Sequence, residues 1–300
     1  MADCSIRATA ADGGIRAVGI VATHTIEEAR QRHRLSAVAT AALGRTAMAT
    51  LLLASNMKHP QSRVSLRLAG NGPLGAVFAD GGVDGTVRGY VTNPDLELPP
   101  DANGKIDVRR AIGANGYLDV VKDIGFGTPY NSTVELVSGG VAEDVAQYLW
   151  VSEQIPSALL LGEVVDRQGV EVAGGLLLQV LPKSIPDDSF LAEVEARISR
   201  ITSFAQWLRE GATLADVLDK LLGDAGLHIL PVELPVRFAC RCSRQRVREA
   251  LKMLGRHELQ EAIAEGKPLE ANCHFCAEVY ALGPGELAEL VTELEAVAQP

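Results

Sequence analysis

Aromatic side chains are scarce in this chain: six Phe, five Tyr and two Trp among 300 residues. A core therefore has to be built from Ala, Val, Leu and Ile, which the 47% hydrophobic content supplies, while 29 Gly supply turns. Positive charge is also short. Lys and Arg number 28 against 38 Asp and Glu, a net charge of −10. Phosphate binding draws its affinity from clustered cations, so this balance argues against a general nucleic-acid binder. No glycine-rich loop ends in Gly-Lys-Ser/Thr, which removes the usual route to nucleotide hydrolysis. The start, Met1-Ala-Asp-Cys4, lacks the basic segment and apolar run of a secretory signal. The most apolar stretch, from Leu35 to Ser55, is rich in Ala and broken by Gly44 and Arg45, so it reads as a buried helix and not as a membrane span. The expectation is a cytoplasmic protein with no membrane partner and with reduced thiols.

The periodicities predict an α+β protein: an N-terminal twisted antiparallel sheet domain with packed helices, a helical linker, and a small C-terminal metal-binding domain. Residues 5 to 22 alternate around Asp12-Gly13-Gly14 as a hairpin. Residues 27 to 57 read as helix, stopped by Pro60. Short alternating segments at Val64–Leu68, Leu74–Phe78 and Tyr117–Val137 predict strands. Residues 140 to 161 read as helix, with Pro156 bending or restarting it, and 164 to 181 as a closing hairpin. Pro182 and Pro186 end the domain, with the boundary placed near 183 to 187. Beyond it, Leu191, Val194, Ile198, Ile201, Ala205 and Leu208 recur at helical spacing. Thr213, with Asp216 three residues on, opens a second amphipathic helix through Leu222. A stripe of that width has to be buried against something. The resulting division is 1–184, 185–231 and 232–300.

Five cysteines are few, but four stand in two tight pairs, Cys240-Arg-Cys242 and Cys273-His-Phe-Cys276. Two pairs at this separation read as one four-thiolate zinc site, with one zinc per chain. Four protein ligands close the tetrahedral sphere, so such a metal holds structure or stores reactivity and does not hydrolyse substrates. A plain structural ribbon is one reading, because a small domain with few aromatics has a marginal core. The local residues offer another. Arg237, Arg241, Arg244, Arg246 and Arg248 crowd the first pair, and Cys242 abuts a helix N-terminus, which favours thiolate. Ser243 caps the helix running to Leu254. A hairpin from Leu269 to Leu282 carries the second pair at its tip, and Pro284 opens a final helix. Oxidising either pair would remove two ligands at once and release the metal together with its folding energy, turning oxidation into unfolding of this domain.

These residues resemble a known family. Phe238-Ala-Cys-Arg-Cys-Ser-Arg244 and Asn272-Cys-His-Phe-Cys276 are similar to the C-terminal signature of the redox-regulated bacterial heat-shock chaperones, the thirty-three-kilodalton chaperonin family. Gly70-Asn-Gly-Pro-Leu-Gly75, Val87-Arg-Gly-Tyr-Val-Thr-Asn-Pro94, Ser152-Glu-Gln-Ile-Pro-Ser157 and Ala173-Gly-Gly-Leu-Leu-Leu-Gln179 look like its N-terminal motifs, in order. The resemblance implies a holdase that works without ATP and is not an enzyme. It implies that the reduced, zinc-loaded form rests. Peroxide or hypochlorite, together with unfolding conditions, would then close Cys240–Cys242 and Cys273–Cys276, release zinc and disorder the C-terminal domain and linker. The activated protein would dimerise and bind unfolding client proteins. Cys4 lies outside the pattern.

Two other classes compete. A zinc-ribbon nucleic-acid binder would use the basic run from Arg237 to Arg256, against the acidic whole. A thiol-disulfide oxidoreductase would use Cys273 and Cys276, but lacks the strand–helix setting of such pairs. Gly70, Gly72 and Gly75 match the spacing of a dinucleotide fingerprint; Pro73 and the strand-like residues after it oppose that reading.

Overall fold

A computed structural model describes residues 2–166, 168–181, 188–201 and 204–298. The chain forms two compact units, Met1–Ala239 and Cys240–Pro300. In the first, β1 (Cys4–Ala10) and β2 (Ile15–Val21) make the expected hairpin, with Ala10 opposite Ile15. Two helices follow, α1 (Thr23–His33) and α2 (Ala37–Ala54). The sequence presents one helical run from 27 to 57. The break comes from Arg34, whose left-handed backbone ends α1, and from Ser36, whose hydroxyl accepts the Ala39 N–H and caps α2. The N–H groups of His24 and Thr25 in the first turn reach the Asp3 carboxylate at 3.1 and 2.6 Å, so α1 starts earlier than its periodicity implies.

Next come β3 (Arg63–Ala69), β4 (Ala76–Gly82), β5 (Thr86–Val91), a short helix α3 (Val108–Ile112), β6 (Tyr117–Asp123) and β7 (Tyr130–Glu135). They form a sheet in the order β5-β4-β3-β6-β7, every neighbour antiparallel. Helix α4 (Ala142–Glu153) leads into β8 (Ser157–Val165) and β9 (Val170–Val180), which join the first hairpin in the order β1-β2-β9-β8. The expected helix over 140–161 is thus corrected. Proline lacks an N–H and disfavours helix in the residue before it, so α4 stops at Glu153 and the leucines after Pro156 extend as an edge strand. There are two sheets where the segments suggested one. Three two-residue strands complete them: β10 (His228–Ile229) and β11 (Leu234–Pro235) on β1, and β12 (Arg237–Phe238) parallel to β5.

Helix α2 lies between the sheets, against β3, β4 and β5 on one side and β8 and β9 on the other. Sixteen of its 18 residues are buried, which is why its sequence is apolar nearly all round. It is the one helix among the described residues long and apolar enough to cross a membrane, and it is consumed by this core. Its buried threonines are satisfied internally, Thr46 donating to the Ala42 carbonyl at 2.8 Å and Thr50 to that of Thr46 at 2.6 Å.

The opposite face of the β1-β2-β9-β8 sheet is covered by α5 (Asp188–Ser199), α6 (Phe204–Arg209) and α7 (Leu214–Leu222). The boundary expected at 183–187 falls on residues outside those described. Leu214, Val217, Leu218, Leu221 and Leu222 are all buried, as their spacing requires, and Thr213 and Asp216 form the expected capping box. Their stripe, with Val194, Phe204, Ala205 and Leu208, packs on Ile6, Ala8, Ile15, Ala17 and Leu176. Gly162 of β8 permits this approach. A Cβ there would stand 2.9 Å from the Ala205 nitrogen.

The second unit contains α8 (Arg244–Lys252), α9 (Arg256–Glu265), the hairpin β13 (Leu269–Asn272) and β14 (Val279–Leu282), and α10 (Pro284–Ala298). Its apolar core is small: Leu251, Leu259, Leu282, Leu287, Leu290 and Val291 are the buried residues of the cluster.

Candidate metal centre

Two local structures bring the four paired cysteines together. Cys240 and Cys242 stand just before α8, whose first turn is capped by Ser243 accepting the Arg246 N–H. Cys273 and Cys276 occupy the tip of the β13–β14 hairpin. There the Cys273 N–H donates to the Glu278 carbonyl at 2.9 Å, while the N–H groups of Cys276 and Ala277 return to the Cys273 carbonyl at 3.2 and 2.8 Å. Ala277 takes a positive φ of 57°, the left-handed step that folds the tip back on itself. The hairpin expected from sequence is therefore present, with Asn272 opposite Val279.

All four sulfurs lie within 4.8 Å of one another and can hold a metal ion. Cys242 and Cys276 approach to 3.4 Å, and Cys240 and Cys273 to 3.7 Å. A tetrahedron with zinc–sulfur bonds of about 2.3 Å has edges of about 3.8 Å, so the spacing and the soft donor set are compatible with zinc. Cys276 is buried and the other three are half-buried. Burial pushes the thiols of Cys273 and Cys276 above their ordinary range, opposed by N–H groups of Phe275 and Glu278 directed at the two sulfurs. Neighbouring thiols raise Cys276 further.

The arginines beside the first pair have a use that their sequence position does not reveal. Arg244 holds Glu286 at 2.6 Å and the Ala281 carbonyl at 2.7 Å, and Arg248 holds Glu289 and Glu293. Arg246 donates to the Arg241 carbonyl. Lys252 and Arg256 also pair with α10, through Glu293 and Glu295. Much of the basic run thus meets the acidic face of α10, which leaves less of it to serve as a phosphate-binding surface.

One contact was not anticipated from sequence: the Tyr280 hydroxyl donates to the Cys242 sulfur at 3.1 Å. The signal was the alternation of β14, in which Tyr280 and Leu282 are turned inward while Val279 and Ala281 are exposed. His274 is exposed at the hairpin tip. Cys4 lies on β1 in the first unit, its thiol raised chiefly by burial and then by Glu233 and Asp3.

The other candidate signals resolve into packing. Gly70, Gly72 and Gly75 join β3 to β4, a strand–turn–strand setting without the helix a dinucleotide site needs. The Gly72 N–H donates to the Ile112 carbonyl at the end of α3, and a Cβ on Gly72 would fall 2.3 Å from the Ala111 carbonyl oxygen. Glu153 accepts from Tyr148 and pairs with Lys122, tying α4 to β6. Cys273 and Cys276 sit on a hairpin tip and not at a helix N-terminus, so the oxidoreductase setting is absent at this pair.

Comparison with known proteins agrees with these features. Residues 3–283 match the family described as Hsp33 protein. A 33 kDa chaperonin of Cyanothece sp. is 57% identical over 298 residues, covering 99% of each chain. One from Synechocystis sp. is 58% identical over 295 residues, covering 98% of each. The crystal structure of the 33 kDa chaperonin, or heat shock protein 33 homolog, of Thermotoga maritima superposes with a TM-score of 0.92 at 35% identity, covering 99% of this chain and all of that one. The relatives are named as chaperonins and not as enzymes. By sequence along nearly its whole length and by fold, the chain belongs to the Hsp33 family of 33 kDa chaperonins.

Proposed function

We propose that this chain is a redox-regulated holdase that binds unfolding client proteins without ATP, and that its switch is the cluster of Cys240, Cys242, Cys273 and Cys276. The observation that carries the reading is the approach of these four sulfurs to within 4.8 Å in a unit whose apolar core is so small. Bound at these sulfurs, one zinc per chain would supply folding energy on the order of 10–16 kcal/mol. Closing Cys240–Cys242 and Cys273–Cys276 consumes one peroxide per disulfide, two thiols and H2O2 giving a disulfide and two waters. It withdraws every ligand, and the fold of the second unit loses its main support.

The apolar surface for clients is already assembled on the first unit. Residues 185–231 act in this reading as the linker, its α5–α7 stripe covering one face of the β1-β2-β9-β8 sheet. The end of that linker and the chain from it to the cysteines are held by three two-residue strand pairings, a weak anchorage. Undocking of α5–α7 would bare both the stripe and the sheet, which is surface of the kind that binds unfolded chains and a second protomer. In this scheme 1–184 is the chaperone domain, 232–300 the switch, the oxidised form a homodimer, and the reducing cytoplasm the place of work.

The test follows zinc content and light scattering from a heat-unfolding client on one sample, before and after peroxide at raised temperature and without nucleotide. The expected result is loss of about one zinc per chain together with new suppression of aggregation. Equal suppression by the reduced, zinc-bound protein would refute the switch.

A further inference from the structure

The geometry points to Tyr280 as a positioning residue of the cysteine switch: its hydroxyl restrains the Cys242 sulfur and slows the reaction of that sulfur with hydroperoxides. This rests on the redox reading above and adds a residue to it. The hydroxyl stands 3.1 Å from the Cys242 sulfur, close enough to donate a hydrogen bond. The ring is held independently of that bond, because Tyr280 packs against the Leu251, Leu259 and Leu282 cluster. The hydroxyl is therefore presented to the sulfur by packing, and the ring does not depend on the sulfur to stay in place.

The chemistry of oxidation says what this contact does. A thiolate lone pair attacks one oxygen of the hydroperoxide; an S–O bond forms, the O–O bond breaks, and hydroxide or alkoxide leaves with the electron pair. A second thiolate then attacks the sulfenic sulfur and expels hydroxide, giving the disulfide. A phenol donating to the Cys242 sulfur stabilises its lone pairs and so lowers their nucleophilicity at the first step. Apart from the neighbouring cysteine sulfurs, Cys273 and Cys276 meet the backbone N–H groups of Phe275 and Glu278, which any residue but proline would supply at those positions. Tyr280 is instead a side-chain donor that mutation can remove while leaving the hairpin intact. Outer-shell partners of metal ligands also orient the ligand, and losing one typically costs about 10–100-fold in metal affinity.

The experiment compares the full-length wild type with Tyr280→Phe, which keeps the packed ring and deletes the donor. Three readouts are taken: the sulfur-to-cobalt charge-transfer band of the Co(II)-loaded reduced protein, the rate of zinc release under hydrogen peroxide, and the cysteine at which a sulfenic-acid trap lands first. The expected result is unchanged metal stoichiometry and helix content, a band moved to lower energy, about tenfold faster zinc release, and a larger share of trapped sulfenic acid at Cys242. A band identical to wild type would show that the hydroxyl does not touch the sulfur, and would overturn the inference. A shifted band with unchanged release and trapping would overturn the protective role. Wild type that keeps its zinc in peroxide would refute the redox reading instead, and the band would still test the Tyr280 contact.

Discussion

The two faces of the β1-β2-β9-β8 sheet are covered by helices of different kinds. On one face α2 is enclosed by a second sheet and buried along nearly its whole length. On the other, α5–α7 bury one stripe and leave residues such as Glu193, Gln206, Arg209 and Lys220 exposed. The polar ties differ in the same sense. Arg45 of α2 is fixed to Glu163 at 2.7 Å with the carboxylate only 2% exposed, whereas Arg209 of α6 reaches Glu171 at 2.8 Å with both side chains more than 40% exposed. A buried pair is costly to break, and an exposed one contributes about 0–1 kcal/mol. One sheet thus carries one cover enclosed on both sides and one bound by a single stripe; in the proposed switch the first is the permanent cover and the second, the segment that leads toward the cysteines, the removable one.

The largest effect expected is on the second unit. Removing the proposed zinc with a chelator, or replacing Cys242 and Cys276 together by Ser, should cost on the order of 10 kcal/mol and unfold residues 240–298. Near-native protection of α2 from hydrogen exchange should survive, because its core lies in the other unit. On the permanent side, Arg45→Leu leaves Glu163 buried without its partner and should lower stability by roughly 3–5 kcal/mol in denaturant melts. Zinc affinity should not change. A smaller shift would mean that the α2 side is not as closed as its burial indicates.

On the removable side, Gly162→Val should act without oxidant. The added side chain meets Ala205 of α6, and overpacking of this kind costs about 1–3 kcal/mol. Increased binding of a hydrophobic dye, cleavage by protease within 204–222, and aggregation suppression in the reduced zinc-bound form are the expected outcomes. Suppression no better than wild type would mean that undocking α6 alone bares too little surface. The smallest effect belongs to Arg209→Leu, which should change stability by less than about 1 kcal/mol. A larger loss would place the linker among the permanent elements and break the contrast.

Sequence made the second unit legible and left much of the first obscure. The cysteine pairs, the Ser243 cap, the hairpin tip and Pro284 are local signals, each read within a few residues, and the fold honours them. The Thr213–Asp216 capping box and the α7 stripe are local too. What escaped depends on distant partners. Arg34 ends α1 without a glycine or proline to mark it. Leu159, Leu160 and Leu161 read as helix because leucine suits both states, and only pairing with β9 after Pro156 decides for strand. The pairings of β10, β11 and β12 are two residues long, too short for any periodicity. Arg244 and Arg248, two of the five arginines that looked like thiolate partners, pair with glutamates about 40 positions away on α10, a contact no spacing rule anticipates.

The central claim is that oxidation at four cysteines removes one cover of the sheet and spares the other. Hydrogen exchange read by mass spectrometry on the full chain, reduced with zinc and then fully oxidised, tests it directly. The account predicts that peptides from α5–α7 and from 240–298 lose protection together as zinc leaves, while α2 keeps its own. Protection retained in α5–α7 after zinc release, in protein that nonetheless suppresses aggregation, would contradict it.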